Sequence, residues 1–112
     1  MKNSALVFEV PAGVQASKFI AFYGAGLLTA LRDGYVPLNE VERFFLPRMV
    51  NSLEGLGVDS EVVDLVRMGC ELEDIESLAP DRLEFNIAKL LEGFLMYLSR
   101  GSFSEVVDIK IP

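Results

Sequence analysis

The sequence has no histidine and no tryptophan, and its only cysteine is Cys70. Without histidine, the chain cannot build a Ser-His or Cys-His nucleophile pair, and it lacks the side chain that most often transfers protons near neutral pH. A single cysteine excludes an internal disulfide and, because histidine is also missing, a zinc site of the Cys/His type. We therefore expect no enzymatic activity, no metal and no cofactor.

Basic residues are also few, since the chain has 10 lysines and arginines against 17 acidic residues and a formal net charge of -7. This balance disfavours binding to nucleic acid through phosphate neutralisation. The excess is local, because residues 59–84 contain nine acidic and two basic residues, whereas the rest of the chain carries eight of each. Such a segment is either a solvated helical face or an acidic docking surface for a basic protein.

Long apolar runs are missing as well. The longest uncharged run, residues 19–31, has 13 residues, whereas a membrane-spanning helix needs about 20. The first residues do not resemble a signal peptide, because Glu9 and Pro11 interrupt a short apolar run. With 112 residues, 51% of them hydrophobic, and a mean hydropathy of +0.34, we expect a single folded domain, residues 1–112, in the cytoplasm and not on a membrane.

Both ends of the chain predict β-strands, and the segment between them predicts helices. In residues 5–10, Leu6, Phe8 and Val10 alternate with Val7 and Glu9. In the second strand, residues 105–111, Val107, Ile109 and Ile111 are predicted to face inward. The expected fold is mainly α, a compact bundle of about five helices with a small two-stranded ribbon formed by the two terminal segments (α+β by a strict count). The strands pair with each other, or one pairs across a dimer or with a partner's sheet edge. The predicted helices cover residues 17–32, a short stretch from residue 39, then 47–56, 60–68, 71–78 and 80–100.

Several local features give more detailed predictions. The first long helix is apolar all round, which is typical of the buried centre of a domain, and Gly24 with its small neighbours would let another backbone approach closely. Asn39 and Glu42 have the spacing of a capping box. Pro47 predicts a break between two helices, and Gly69 predicts the end of a helix.

Residues 70–76 contain the cysteine and four carboxylates. The acidic neighbours of Cys70 disfavour a thiolate, so we interpret this residue as a small buried thiol between two helices. The carboxylates lack the spacing and the glycine of a calcium loop, which argues against a metal site. The aromatic residues lie at helical spacings, a pattern that is more typical of a core than of a ligand-binding pocket.

Three segments resemble a known family: Leu-Arg-Asp-Gly at 31–34, Leu-Asn-Glu-Val-Glu at 38–42, and Gly-Cys-Glu-Leu-Glu-Asp-Ile-Glu-Ser-Leu-Ala-Pro at 69–80. The chain resembles a small bacterial family, domain of unknown function 3969, over residues 18–98, most specifically at 71–78. The resemblance implies a bacterial source and a small, mostly helical cytoplasmic protein. It transfers no catalytic or binding residue.

Two hypotheses for the function remain open, and an enzyme acting on a small molecule or metal is a third and less favoured one. The first is an interaction protein that resembles an immunity protein or antitoxin and docks on a basic toxin such as a nuclease. The second is a structural or regulatory helical module that works as a homo-oligomer, such as a homodimer, because the apolar content exceeds what a small domain hides easily. For the first hypothesis, the candidate partner-binding residues are Glu61, Asp64, Glu71, Glu73, Asp74 and Glu76.

Overall fold

Six α-helices and a two-stranded antiparallel ribbon make up the fold, in a computed structural model that describes residues 6–100 and 108–110. This architecture confirms the predicted mainly-α bundle with a small ribbon. A short 3-10 turn, Pro80–Arg82, precedes the last helix. The elements are β1 (Val7–Glu9), α1 (Val14–Arg32), α2 (Leu38–Val41), α3 (Pro47–Gly55), α4 (Ser60–Gly69), α5 (Leu72–Leu78), α6 (Leu83–Arg100) and β2 (Asp108–Lys110).

The ribbon joins the two ends of the chain, as the first of the two predicted pairings requires. Phe8 of β1 lies opposite Ile109 of β2, and the strands run antiparallel. All three residues of β1 are exposed, but the ring of Phe8 lies 5.2 Å from that of Phe19 in α1 and anchors the ribbon to the bundle. The inward orientation predicted for Val107, Ile109 and Ile111 concerns side chains outside those that the structure describes.

The two longest helices, α1 and α6, pack closely along their lengths. The face of α1 that meets the core is built from small residues, including Ala21 and Gly24, whereas α6 contributes large side chains such as Leu90 and Phe94. A Cβ atom at Gly24 would lie only 2.9 Å from Cζ of Phe94, which is itself fully buried. The predicted close approach at this glycine is therefore confirmed.

The prediction that α1 is buried all round is wrong. Its small residues face the core, but Phe22 and Tyr23 on the other side are 56% and 47% exposed. The reason is that other elements cover the outer side of α1 only in part. A helix that is apolar around its whole circumference is therefore not buried on every face. Helix α1 is also long and apolar enough to cross a membrane. The core helices of soluble proteins meet the same criteria of length and composition, so this is weak evidence.

A glycine and a proline mark two helix boundaries. At the end of α1, Gly34 has a φ of 81°. The N–H of Tyr35 donates to the carbonyl of Ala30 over 2.9 Å, and that of Gly34 donates to Leu31 over 3.1 Å, which is a Schellman motif. Pro47 begins α3 after extended backbone at Leu46, as the proline predicts.

Helix α4 ends at Gly69, one residue after the predicted end. The glycine is not a left-handed stop, because its φ is not positive, and it is buried. A Cβ atom there would come within 2.3 Å of Cδ1 of Phe45, a residue that is 2% exposed. The glycine is therefore also needed for contact between α4 and the segment after α2, a long-range requirement that the local stop signal does not indicate.

A partly buried polar network ties α1, α4 and α6 together. The hydroxyl of Ser17, which is fully buried, donates to the carbonyl of Gly13 and accepts the N–H of Asp59, both over 2.8 Å. The Asp59 carboxylate accepts the hydroxyl of Tyr97 over 2.5 Å. Asp59 thus occupies the N-cap position of α4, but its side chain connects to α6 instead of closing the helix end.

The α1–α6 contact predicts opposite effects at two glycines that lie two residues apart. Gly24→Ala should destabilise the protein by about 1–3 kcal/mol, because the added methyl group overpacks against the Phe94 ring. Gly26→Ala is the matched control, since a Cβ there meets nothing within 4 Å, and it should stabilise the protein by up to about 1 kcal/mol through helix propensity. Urea unfolding measures both, and equal effects would contradict this packing.

Candidate functional site

All six acidic residues that the sequence singled out are exposed on the surface of the protein. Two of them lie on α4 and three on α5, and the sixth lies between these helices at the start of α5. The structure therefore places them on consecutive elements, but their electrostatic surroundings differ between the two helices. The residues are Glu61, Asp64, Glu71, Glu73, Asp74 and Glu76.

The acidic residues of α4 are engaged by arginines. Asp64 accepts from the guanidinium of Arg67 over 2.7 Å, one turn further along the helix. Glu61 accepts from the guanidinium of Arg100 at the end of α6. Exposed pairs of this kind add little to stability, but they offset the negative charge on this side of α4.

The acidic residues around α5 lack such a counter-charge among residues 6–100. Within that range, no lysine or arginine forms an ion pair with Glu71, Glu73, Asp74 or Glu76. Helix α5 is amphipathic, and Leu72 on its inner side is 1% exposed, so the helix turns its carboxylates toward solvent. The largest part of the excess of negative charge therefore lies around α5.

A further carboxylate, Glu42, lies beneath the start of α5 and is 5% exposed. Its Oε1 accepts the backbone N–H of Glu73 over 3.2 Å. This contact corrects the predicted capping box: α2 begins after Pro37, so Asn39 lies inside the helix, and Glu42 bonds to α5 instead of reaching back to its own helix. Glu42 satisfies an amide at a helix start that would otherwise lack an intrahelical partner.

Burial, together with the smaller effect of the negative charges of Glu73 and Asp74, raises the pKa of Glu42 to about 7, although the hydrogen bond from the Glu73 amide opposes this shift. A carboxyl group in this position exchanges its proton near neutral pH, unlike an ordinary glutamate. Glu42 is therefore a buried ionisable group at the base of α5, and the negative charge of that helix is a secondary cause of its raised pKa.

The sequence analysis missed Glu42 as a site residue, although a signal was present. Leu38, Val41 and Phe45 have the spacing of one helical face and are all buried, and Glu42 falls on the same face. A single carboxylate within an otherwise apolar face indicates a buried charge with a specific partner. The capping-box reading concealed this pattern because it assigned Glu42 a local role.

Two further ionisable side chains, those of Cys70 and Tyr97, have raised pKa values. Burial and the nearby charge of Glu42 raise the pKa of the Cys70 thiol, as the acidic neighbours predicted, and its Sγ lies 3.4 Å from the Val66 carbonyl. Burial and the Asp59 bond raise the pKa of Tyr97 to about 12. In the part of the chain that the structure describes, no group of three or more cysteine or acidic side chains could hold a metal ion.

Comparison with known proteins gives one match. The family model described as "Protein of unknown function (DUF3969)" matches residues 13–108, which span α1 to the first residue of β2. No curated protein and no solved structure matches the chain. The resemblance expected from the sequence is therefore confirmed at the level of the family.

The buried carboxylate predicts a pH-dependent effect of Glu42→Gln. Because the folded-state pKa of Glu42, about 7, lies above its ordinary value of 4.5, stability falls as pH rises between these values. The amide keeps an acceptor for the Glu73 N–H but carries no charge. The free energy of unfolding of Glu42→Gln relative to wild type should therefore increase by about 2 kcal/mol between pH 5 and pH 8.

Glu40→Gln is the matched control, because it removes the same charge from an exposed position on α2. Its stability relative to wild type should change by less than about 0.5 kcal/mol over the same pH range. Chemical unfolding at several pH values measures both variants. A difference between Glu42→Gln and wild type that stays constant with pH would show that Glu42 is not a buried ionisable group.

Proposed function

The chain belongs to the DUF3969 family, and we propose that it is a non-enzymatic interaction protein whose helix α5 docks on a basic surface of a partner protein. The observation that carries this proposal is the contrast between the two acidic helices. The carboxylates of α4 lie in ion pairs with Arg67 and Arg100, whereas those of α5 are exposed with no counter-charge among the described residues. A basic partner would supply the missing counter-charge.

The physical advantage of such a surface is complementary potential. A group of like charges on one short element attracts an oppositely charged patch over several ångströms, which speeds association and selects against acidic partners. The buried Glu42 adds to this potential from below whenever it is ionised, because Glu73 and Asp74 lie close enough to raise its pKa. Binding of a basic partner would relieve this repulsion.

The specific role that we propose is inhibition of a basic toxin, in the manner of an immunity protein or antitoxin. A nuclease presents a cationic groove to its phosphate substrate, and an acidic helix can cover such a groove. Two features support this role: the chain is small, and much of its negative charge lies on the exposed helix α5. Glu61 and Asp64 would lie at the edge of the interface, where their arginine pairs lower their contribution.

Charge reversal on α5 tests this proposal. Purified protein is used to capture partners from cells of the source bacterium, and the affinity of each identified partner is then measured at two salt concentrations. Glu73→Lys combined with Glu76→Lys should weaken binding at least tenfold, roughly 1.4 kcal/mol or more. The loss should shrink at high salt because salt screens the interaction.

A charge-matched variant distinguishes the effect of where the charge lies from the effect of the total net charge. Glu40→Lys combined with Glu92→Lys changes the net charge equally, at two exposed positions outside α5, and it should retain partner affinity within about threefold. Equal losses in the two double variants would point to nonspecific attraction. Unchanged affinity in the α5 variant would refute docking through this helix.

A homo-oligomeric module is the second candidate, and an exposed apolar strip favours it. Phe8 of the ribbon is 42% exposed, and Tyr23 of α1 is 47% exposed. The rings of Phe8, Phe19 and Tyr23 follow one another at centroid distances of 5.2 and 6.4 Å. A continuous apolar surface of this type is common where proteins associate.

Sedimentation velocity at micromolar concentration tests this second candidate. An oligomer that Tyr23→Asp dissociates would support it, because the charge would lie on the apolar strip. Glu92→Gln, on the exposed side of α6, is the control and should leave the oligomer intact. A monomer throughout the micromolar range would exclude the homo-oligomeric module.

A further inference from the structure

A cleft next to α5 has the form of a site for one long side chain. It lies between the end of α1, the 3-10 turn and the start of α6, and its volume is about 430 Å³. Its apolar lining comes from Leu31, Leu38, Leu83 and Ile87, which belong to three different helices. A cavity of this size, at the lower end of the range for ligand pockets, admits a side chain but not a helix.

The rim of the cleft is acidic. Glu76 of α5, Asp81 of the 3-10 turn and Glu84 of α6 line it, and all three are exposed. Among the described residues of the lining, Arg32 is the one cation, and its Nε donates to Oδ1 of its neighbour Asp33 over 3.0 Å. This local pair offsets the charge of Arg32, so the rim keeps an excess of negative charge.

We infer that this cleft receives an arginine side chain that the basic partner presents, an inference that rests on the proposed docking function. The aliphatic stem of arginine fits an apolar floor, and its guanidinium group stays at the polar rim. The planar guanidinium carries five donors, so it serves carboxylates from several elements at once, which the single ammonium of lysine does less well. Glu76 belongs both to α5 and to this rim, so the cleft continues the proposed docking surface.

The experiment uses a blocked arginine, N-acetyl-arginine amide, as the probe and N-acetyl-citrulline amide as its uncharged isostere. Titration of the isotopically labelled full chain is followed by NMR of methyl groups. The arginine probe should shift the methyl signals of Leu31, Leu83 and Ile87 in a saturable manner. The citrulline probe should bind at least fivefold more weakly, and N-acetyl-lysine amide should bind more weakly than arginine.

Two variants locate the rim. Asp81→Asn combined with Glu84→Gln should weaken the arginine probe at least fivefold, because these neutral side chains keep the shape of the rim without its charge. Glu92→Gln, exposed on α6 and absent from the cleft lining, should leave its affinity unchanged. The methyl spectrum of each variant, recorded without probe and compared with that of the wild type, checks that the fold is intact.

The outcomes distinguish this inference from the function on which it rests. The arginine site is overturned if the arginine probe shifts methyl signals outside the cleft, or if the citrulline probe binds equally well. The docking function still stands in that case if charge reversal on α5 abolishes partner binding. The opposite result is arginine binding in the cleft with a partner affinity that the α5 charge reversals leave unchanged. That result would refute the docking function, and with it the assignment of the cleft to that partner.

Discussion

The buried carboxylate of Glu42 is the interaction on which the acidic side of the molecule depends. A carboxylate at 5% exposure is costly unless a donor meets it, and the backbone N–H of Glu73 provides that donor over 3.2 Å. The bond fixes the start of α5 against the segment after α2, where Leu72 fills the core. Because the inner side of α5 is occupied in this way, its own carboxylates have only solvent, or a partner, to face.

The rest of the bundle supplies a rigid base for this arrangement. The small face of α1 allows α6 to approach until Gly24 meets Phe94, and the bonds among Ser17, Asp59 and Tyr97 hold α4 against both helices. On that side the acidic residues are balanced by arginines. The four acidic residues around α5 therefore account for more than half of the net charge of -7, which gives the molecule an electrostatic direction.

Most of the fold could be predicted from the sequence because its signals are local. Apolar periodicity gave the helices, Pro47 and Gly34 marked helix boundaries, and alternation at the two ends indicated the ribbon strands. Two positions have a long-range role that their local signals do not show. Glu42 resembles a cap but bonds to Glu73 of α5. Gly69 ends α4 as a stop signal predicts, but it is also needed for contact with Phe45.

The candidate site was predictable in composition but not in detail. The sequence located the excess charge within 26 residues, yet it could not separate α4 from α5, because Arg100, the partner of Glu61, is 39 residues away along the chain. The most direct measurement is an NMR titration of the Glu42 side-chain carboxyl carbon in the folded protein. The structure predicts a midpoint at a pH of about 7; a midpoint at the ordinary value of 4.5 would contradict a buried carboxylate beneath α5.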